Sequence, residues 1–148
     1  MIDTTTFVTA KENMDYDRDL VNSFQESSPP IFRFYNWQHP SLTYPSRCKI
    51  PSSLSDLDQS ERSTGGGIVF HSPNDMVLSI IGQYKSPFPK DWRSILAWLQ
   101  AAFLASFQSL NIQVKVGVRA QIENPLFCLT YANPYELFYE NQKILALA

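Results

Sequence analysis

The sequence has only two cysteines among its 148 residues, Cys48 and Cys128. They lie far apart and no CxxC pair is present, so neither a disulfide framework nor a zinc site is indicated. Isolated thiols are typical of proteins in a reducing compartment. We therefore expect a cytoplasmic protein.

Long hydrophobic runs are also missing. No stretch reaches the roughly eighteen apolar residues that a membrane span needs. Met1–Ala10 is rich in threonine and lacks the basic region and the apolar core of a signal peptide. We expect no membrane segment and no secretory leader.

An excess of charge of one sign is absent as well, because 12 basic and 14 acidic residues leave a net charge of −2. Long-range attraction to phosphate backbones is therefore weak, and we expect no nucleic-acid partner. Aromatic residues, in contrast, make up 14% of the chain. Their large buried area offsets the entropy lost on folding, which indicates a folded globular protein.

Hydrophobic patterning predicts two helices separated by strands. Thr9 and Glu12 have capping-box spacing, so a helix should begin after Thr9 and end near Ser23. A second helix is predicted over Lys90–Leu110, with Asn111 in the left-handed position that follows it. The predicted strands are Ile31–Trp37, Ile68–His71, Met76–Ile81, Ile112–Val118, Phe127–Tyr131, Tyr135–Tyr139 and Lys143–Ala148.

The connections suggest how these strands are arranged. The turn Ser72–Asp75 predicts a hairpin of the two strands beside it. The Pro- and Ser-rich stretch from His39 to Ser60 predicts loops around one short strand. Asn141 suits a tight turn that needs a positive φ. Strands that flank two helices in this order indicate an α+β fold with a mostly antiparallel, mixed sheet.

Three consecutive glycines, Gly65–Gly67, follow Arg62 and lead directly into an apolar strand. Glycines allow the backbone to approach a ligand, and their amides can bind anionic oxygens. Arg62 can add a forked contact to a phosphate or carboxylate. A flexible linker is the competing interpretation, and neither common phosphate-loop pattern is present.

The segment RSTGGGIVFH at residues 62–71 resembles the signature loop of the lipoate–protein ligase A family, which has the biotin/lipoate ligase fold. Further segments agree in order and spacing: Asn13-Met14 with Asp17 and Leu20, Phe34–Trp37 with Pro40, His71–Asp75, Cys128, Pro134–Leu137 and Gln142–Ile144. The resemblance covers nearly the whole chain. It implies one catalytic domain over residues 1–148 that is shortened at its C-terminus.

The resemblance implies a ligase that activates lipoate or octanoate with ATP and Mg²⁺ and then transfers the acyl group to a lysine. The implied acceptors are the lipoyl domain of a 2-oxoacid dehydrogenase and the glycine cleavage H protein. Lys143 matches the family's invariant lysine, which contacts the acyl-adenylate. The implied substrate-binding residues are Asp17, Trp37, Arg62, Ser63, Gly65, Gly66, Gly67 and His71, and no metal ligand is implied.

Each of these side chains also has an ordinary interpretation. Lys143 can be a solvated surface charge. His71 can be a hydrogen-bonded residue of a strand. Trp37 can belong to the core, and Asp17 can be an exposed helix residue. The sequence leaves these alternatives open.

Cys128 points to a second reaction. Some proteins with this fold are octanoyltransferases that carry the acyl group on a cysteine, and Cys128 precedes Lys143 at the spacing of that nucleophile. A thiolate at this position would attack a thioester substrate. The ordinary interpretation is a buried, unreactive thiol.

A third hypothesis is a non-catalytic module that binds an acyl ligand or a lipoyl domain. It rests on the segment Ile144–Ala148, which departs from the family pattern. An apolar last strand with an open edge also needs a cover. We expect a partner chain or self-association to provide it.

Overall fold

The computed structural model describes residues 1–83, 88–118, 126–127 and 133–147. The chain divides into two compact units, Met1–Gln83 and Tyr84–Ala148. The first unit contains β1 (Ile2–Val8), α1 (Ala10–Ser23), β2 (Ile31–Trp37), β3 (Ser41–Pro45), a 3-10 turn (Ser52–Leu54), β4 (Asp58–Arg62), β5 (Val69–His71) and β6 (Val77–Ile81). The second unit contains α2 (Trp92–Ser109), β7 (Lys115–Val116), β8 (Leu137–Tyr139) and β9 (Gln142–Leu145).

The described strands form three sheets of three strands, in the orders β1-β2-β6, β4-β3-β5 and β7-β8-β9. Two pairs are parallel, β1 with β2 and β3 with β4. The other four pairs are antiparallel. The predicted α+β fold with mixed, mostly antiparallel pairing is therefore confirmed, although the strands are distributed over separate sheets.

Helix α1 begins as its sequence predicts. The Thr9 hydroxyl accepts from the Glu12 amide at 3.2 Å, and a Glu12 carboxylate oxygen accepts from the Thr9 amide at 2.9 Å, which completes the capping box. The Ala10 amide donates to Asp58 on β4 at 2.7 Å. Asp58 also accepts from the Ser41 hydroxyl at 2.9 Å. One carboxylate thus joins the start of α1 to the β4-β3-β5 sheet.

The core of the first unit lies between α1 and one face of β2. Burial alternates along β2, so that every second side chain faces inward. Ala10, Met14, Tyr35 and Trp37 form the buried cluster, and Val77 packs against it. The strand predicted over Ile31–Trp37 is confirmed with the same bounds.

The predicted hairpin around Ser72–Asp75 is wrong. Strand β2 lies in one sheet, and the next strand along the chain, β3, lies in another. Strand β5 pairs antiparallel with β3, and β6 pairs antiparallel with β2. The turn between β5 and β6 therefore connects the two sheets and does not join neighbouring strands. The Asp75 carboxylate accepts from the Ser72 amide at 2.8 Å. This hydrogen bond closes the turn locally and does not require the two flanking strands to pair with each other.

The structure differs from three other predictions. The stretch from His39 to Ser60 contains β3 and the start of β4 rather than one short strand. The threonine-rich N-terminus, for which no strand was predicted, forms β1 and pairs in parallel with β2. Within the predicted strand Ile112–Val118 only Lys115–Val116 is extended and paired, and Val118 is 83% exposed.

The second unit keeps its predicted helix. Asp91 caps α2 by accepting from the Ser94 amide at 3.0 Å, and Asn111 adopts the predicted positive φ of 58°. Strands β8 and β9 are joined by a turn in which Glu140 and Asn141 have φ values of 45° and 65°. Apart from Phe127, the predicted strand Phe127–Tyr131 lies outside the described residues.

Candidate functional site

The glycine loop, residues 63–67, is folded around the side chain of Arg62. The guanidinium Nη2 donates to the carbonyl oxygens of Gly65 and Gly67, each at 2.6 Å. Nε donates to the Thr64 hydroxyl at 3.1 Å. Gly66 has a φ of 96°, a conformation that side-chain-bearing residues rarely adopt. The loop therefore has a defined conformation, which the linker interpretation does not explain.

Arg62 also connects the loop to His71 through Thr43 on β3. The guanidinium Nη1 donates to the Thr43 carbonyl at 2.8 Å and to the Thr43 hydroxyl at 3.3 Å. The same hydroxyl lies 2.8 Å from His71 Nε2. An arginine can only donate, so the Thr43 hydroxyl accepts from Arg62, and its remaining donor and acceptor capacity is available to His71.

The imidazole of His71 stacks on the indole of Trp37, with ring centroids 4.1 Å apart and an interplanar angle of 22°. Trp37 is fully buried, and its Nε1 has no hydrogen-bond partner within the described part of the chain. Tyr35 meets Trp37 edge-on at 5.5 Å. Trp37 is thus a core residue in this structure, and its role as a wall of an acyl pocket stays a prediction.

His71 is neutral at physiological pH. Burial lowers its pKa, and the positive charge of Arg62 lowers it further, from 6.5 to about 3. A neutral imidazole offers one donor and one acceptor. His71 can therefore take part in hydrogen bonds without itself being charged.

Asp17 lies in a polar network beneath α1. It accepts from Arg33 Nη1 at 2.6 Å, from the Ser79 hydroxyl at 2.7 Å and from the Tyr35 hydroxyl at 3.3 Å. Arg33 is fully buried and also donates to the Asn13 carbonyl and side-chain oxygens. Burial, followed by the negative charge of Asp17, raises the pKa of Tyr35, which stays a neutral donor.

Lys143 is not the solvated surface charge of the ordinary interpretation. On β9 its side chain is 12% exposed, and Nζ lies 2.9 Å from the carboxylate of Glu136, which is 3% exposed. Glu136 also accepts from the Asn133 amide at 3.0 Å. A lysine that is largely removed from water needs such a partner. The second unit therefore contains a sheltered ion pair at the predicted catalytic lysine.

The structure brings some of the predicted site residues together. Arg62, Gly65, Gly67, His71 and Trp37 form one connected group in the first unit. Asp17 joins them through Tyr35, and Ser63 is an exposed residue of the loop. Lys143 belongs to the second unit. Cys128 lies outside the described residues.

Arg33, Thr43 and Glu136 were missed by sequence reasoning. Arg33 had a usable signal, because it occupies an inward position of the alternating strand β2, where an arginine requires a carboxylate. Glu136 lies in the segment Pro134–Leu137 that carries the resemblance, but no role was predicted for it, and Thr43 carried no local signal. Their importance comes from Lys143 and Arg62, which only the folded chain brings beside them.

A hollow of about 480 Å³ occurs in the second unit, at the C-terminal end of α2. It is lined by Leu104, Gln108, Asn111, Ile112, Gln113 and Val114. None of these six side chains is ionisable, so the hollow offers no group for acyl or phosphoryl chemistry. We take the glycine-loop group in the first unit and the Lys143 pair in the second unit as two separate candidate sites.

Two negative findings apply to the described ranges. Within them, no group of three or more His, Cys, Asp and Glu side chains is placed to hold a metal ion. Neither α1 nor α2 is both long and apolar enough to cross a bilayer.

The sequence and the fold are those of a known family. Residues 9–148 match the family described as Lipoyl protein ligase A/B catalytic domain, and the chain belongs to it. Octanoyltransferase LipM of Bacillus cereus is 26% identical over 152 aligned residues, which are 92% of this chain and 55% of that protein. Lipoate-protein ligase A subunit 1 of Thermoplasma acidophilum is 25% identical over 122 residues, which are 77% of this chain and 45% of that protein.

Solved structures agree on the fold. A lipoate protein ligase of T. acidophilum with bound lipoic acid matches with a TM-score of 0.73 at 19% identity, over 97% of this chain and 59% of that one. A lipoate-protein ligase A bound with ATP matches with a TM-score of 0.69 at 20% identity, over 95% and 56%. A bi-partite ligase of T. acidophilum, solved as part of a lipoylation system with its E2 lipoyl domain, matches with a TM-score of 0.61 at 20% identity, over 82% and 51%. The chain spans about half the length of the curated relatives it matches.

Replacing Asp17 tests whether the polar network holds the first unit together. Asp17→Ala leaves the buried Arg33 guanidinium without its carboxylate, which should lower the free energy of unfolding by about 3–5 kcal/mol. Urea denaturation followed by circular dichroism measures this loss. Asp15→Ala on the same helix removes only contacts to the exposed Lys11 and Arg18 and should cost far less. Equal losses in the two variants would contradict the assignment.

The depressed pKa of His71 predicts a pH dependence of stability. Between about pH 6.5 and pH 3 the unfolded chain binds a proton at His71 that the folded chain does not. The free energy of unfolding should therefore decrease as the pH falls, by about 2 kcal/mol from pH 6.5 to pH 5. Urea denaturation of His71→Gln at pH 7.5, 6.5 and 5 should lack this contribution, whereas the exposed control His39→Gln should retain it. Parallel pH profiles for wild type and His71→Gln would show that the buried imidazole is not the cause.

Proposed function

We propose that this chain binds lipoate or octanoate and takes part in transferring the acyl group to a lysine of a lipoyl domain, with ATP-dependent ligation as the first candidate reaction. The observation that carries the proposal is the glycine loop, which is held in one conformation beside the stacked pair of His71 and Trp37. Backbone amides in such a loop can bind a carboxylate. Both acids present a carboxylate on an apolar tail.

The ligation reaction has two steps. A carboxylate oxygen of the acid bonds to the α-phosphorus of ATP, and pyrophosphate leaves. The amine of the acceptor lysine then bonds to the acyl carbon, loses a proton, and AMP leaves. Negative charges crowd together in the first step, so preorganised donors are the main contribution a protein can make to it. In the first unit we assign this task to the loop amides, and the resemblance to the family assigns Lys143 of the second unit to it as well.

The low exposure and the ion pair of the Lys143 side chain support the proposal. Its ammonium group is sheltered and oriented by Glu136 rather than extended into solvent. A sheltered cation interacts with an anion more strongly than an exposed one does. Its contact with the acyl-adenylate is proposed from the resemblance to the family.

ATP fits the donor set, since loop amides and a lysine are groups that bind phosphate oxygens. Mg²⁺ is less well matched, because within the described ranges no group of three or more His, Cys, Asp and Glu side chains is placed to hold a metal ion. A Mg²⁺ ion that accompanies ATP takes most of its ligands from phosphates and water. We assign no residue and no step to it.

The proposed acceptor is a lipoyl domain, either of a 2-oxoacid dehydrogenase or of the glycine cleavage H protein. The solved bi-partite relative, studied with its E2 lipoyl domain, supports this partner. That relative and the ligase subunit of T. acidophilum also support a second chain as a partner. The residues that would contact either partner are not assigned.

Removing the charge of Lys143 should weaken binding of the activated acid. Lys143→Gln keeps an N–H donor for Glu136 but lacks the positive charge. It should raise the dissociation constant of a non-hydrolysable lipoyl-AMP analogue by at least about tenfold, because a hydrogen bond from a charged donor is lost. Isothermal titration calorimetry of the full chain measures this constant.

Lys115→Gln is the matched control for that measurement. Lys115 lies in the same sheet, on β7, and is exposed. We expect the control to bind as the wild type does. Equal affinities of Lys143→Gln and wild type would remove Lys143 from the site. No binding by the folded wild type would contradict the proposed function.

Octanoyl transfer through Cys128 is the second candidate function. It is supported by the curated relatives named Octanoyltransferase LipM, of which the Bacillus cereus protein aligns over 92% of this chain. In this reaction the Cys128 thiolate bonds to the acyl carbon of a thioester and the donor thiol leaves. The acceptor lysine then takes the acyl group from Cys128. ATP has no part in these steps.

Mass spectrometry separates the two candidates. Incubation with an octanoyl-carrier protein should produce an octanoyl thioester on Cys128 if the chain is a transferase. Cys128→Ser should then accumulate none, while Cys48→Ser should be acylated as the wild type is. An unmodified wild-type chain that exchanges pyrophosphate with ATP in the presence of lipoate would exclude the transferase and support the ligase.

A further inference from the structure

The guanidinium of Arg62 is fully engaged within its own chain. Its five hydrogen bonds go to Thr64, to Gly65, to Gly67 and twice to Thr43. An arginine has five N–H groups, so each of them is matched by one protein oxygen. A direct contact between Arg62 and a ligand oxygen would require one of these bonds to break.

The direction of the Gly65 carbonyl determines where the next amide points. In a trans peptide unit the C=O and the following N–H point in opposite directions. Because the Gly65 oxygen points at Arg62 at 2.6 Å, the N–H of Gly66 points away from the guanidinium. Gly66 is exposed, and its φ of 96° is one that only glycine adopts readily. Arg62 thus holds the Gly65 carbonyl toward its own guanidinium and directs the Gly66 N–H away from it.

We propose that Arg62 is a positioning residue, which holds the glycine loop so that the anionic oxygens of a ligand are bound by the loop amides and not by the guanidinium. The part that concerns the ligand rests on the function proposed above. The same side chain orders Thr43 and, through it, His71. Arg62 therefore organises the loop and the neighbouring imidazole together.

Lysine is the informative substitution at this position. It keeps the positive charge, but a single ammonium group cannot reach Thr64, Gly65, Gly67 and Thr43 in the planar geometry of a guanidinium. A residue that acts by charge alone tolerates this change. A residue that acts by bridging several carbonyl groups does not.

The first measurement needs no ligand. The chain has only five glycines, at positions 65, 66, 67, 82 and 117, so glycine-selective ¹⁵N labelling gives a simple amide spectrum. In the wild type we expect order parameters near about 0.85 for the three loop glycines, and in Arg62→Lys values below about 0.6. The Gly117 amide, which donates to the Glu136 carbonyl at 2.8 Å, is the internal control and should not change.

Thr64→Val is a milder variant that removes one of the five acceptors, and it is used if Arg62→Lys lowers the Tm of the whole chain. It should lower the order parameters of the same three amides. Arg18→Lys, at an exposed arginine of α1, controls for the substitution itself and should change none of them. Loop order parameters that stay at the wild-type value in Arg62→Lys would overturn the proposal.

The second measurement compares binding of the lipoyl-AMP analogue to Arg62→Lys and Arg62→Gln. A positioning role predicts that both variants lose at least about tenfold in affinity and to a similar extent. Retained affinity in the lysine variant alone would show that the charge contacts the ligand directly and would overturn the proposal. If the wild type does not bind the analogue, the proposed function and the ligand part of this inference fail, while the order parameters still decide whether Arg62 holds the loop.

Discussion

The buried guanidinium of Arg33 is the constraint on which the first unit depends. A charge that is completely removed from water is costly unless a counter-ion and hydrogen-bond acceptors are supplied. Asp17 and Asn13 on α1 supply them to Nη1 and Nη2, whereas Nε has no hydrogen-bond partner among the described residues. The ring centroids of Tyr16 and Tyr35 lie 4.7 and 4.1 Å from the guanidinium carbon. These contacts fix the helix on β2, and the helix start is in turn joined to β4 through Asp58. The edge that carries the glycine loop is thereby held beside the core.

Arg62 also forms several hydrogen bonds within its own chain, and these hold the glycine loop. Both arginines use the planar donor set of a guanidinium to join segments that are distant in sequence, Arg33 with Asp17 and Arg62 with Thr43. The consequence for function is preorganisation, because a loop that is ordered before the ligand arrives loses less entropy on binding. His71 follows the same principle, since the Thr43 hydroxyl holds its Nε2 at 2.8 Å and burial keeps the imidazole neutral by lowering its pKa. The second unit offers one comparable arrangement, the sheltered pair of Lys143 and Glu136.

Features that depend on near neighbours in the chain could be predicted from the sequence, whereas long-range pairing could not. The capping box at Thr9, the positive φ at Asn111 and the strand Ile31–Trp37 are set by residues a few positions apart. The hairpin at Ser72–Asp75 failed because a closed turn does not determine which strands its flanks join. The position of the glycine loop in the sequence was recognisable, and so was the resemblance to the ligase family. That the donors of Arg62 bind the loop itself depends on carbonyl directions, which exist only in the folded chain.

The central claim is that the glycine loop binds the anionic end of an acyl ligand. Titration of the glycine-labelled chain with the lipoyl-AMP analogue, followed by the amide chemical shifts, tests it most directly. We expect saturable shifts of the Gly65, Gly66 and Gly67 signals, largest for Gly66, whose N–H points away from Arg62. The Gly82 signal, after the end of β6, should stay in place. Saturable binding that leaves all three loop signals unmoved, or no binding at all, would contradict the claim.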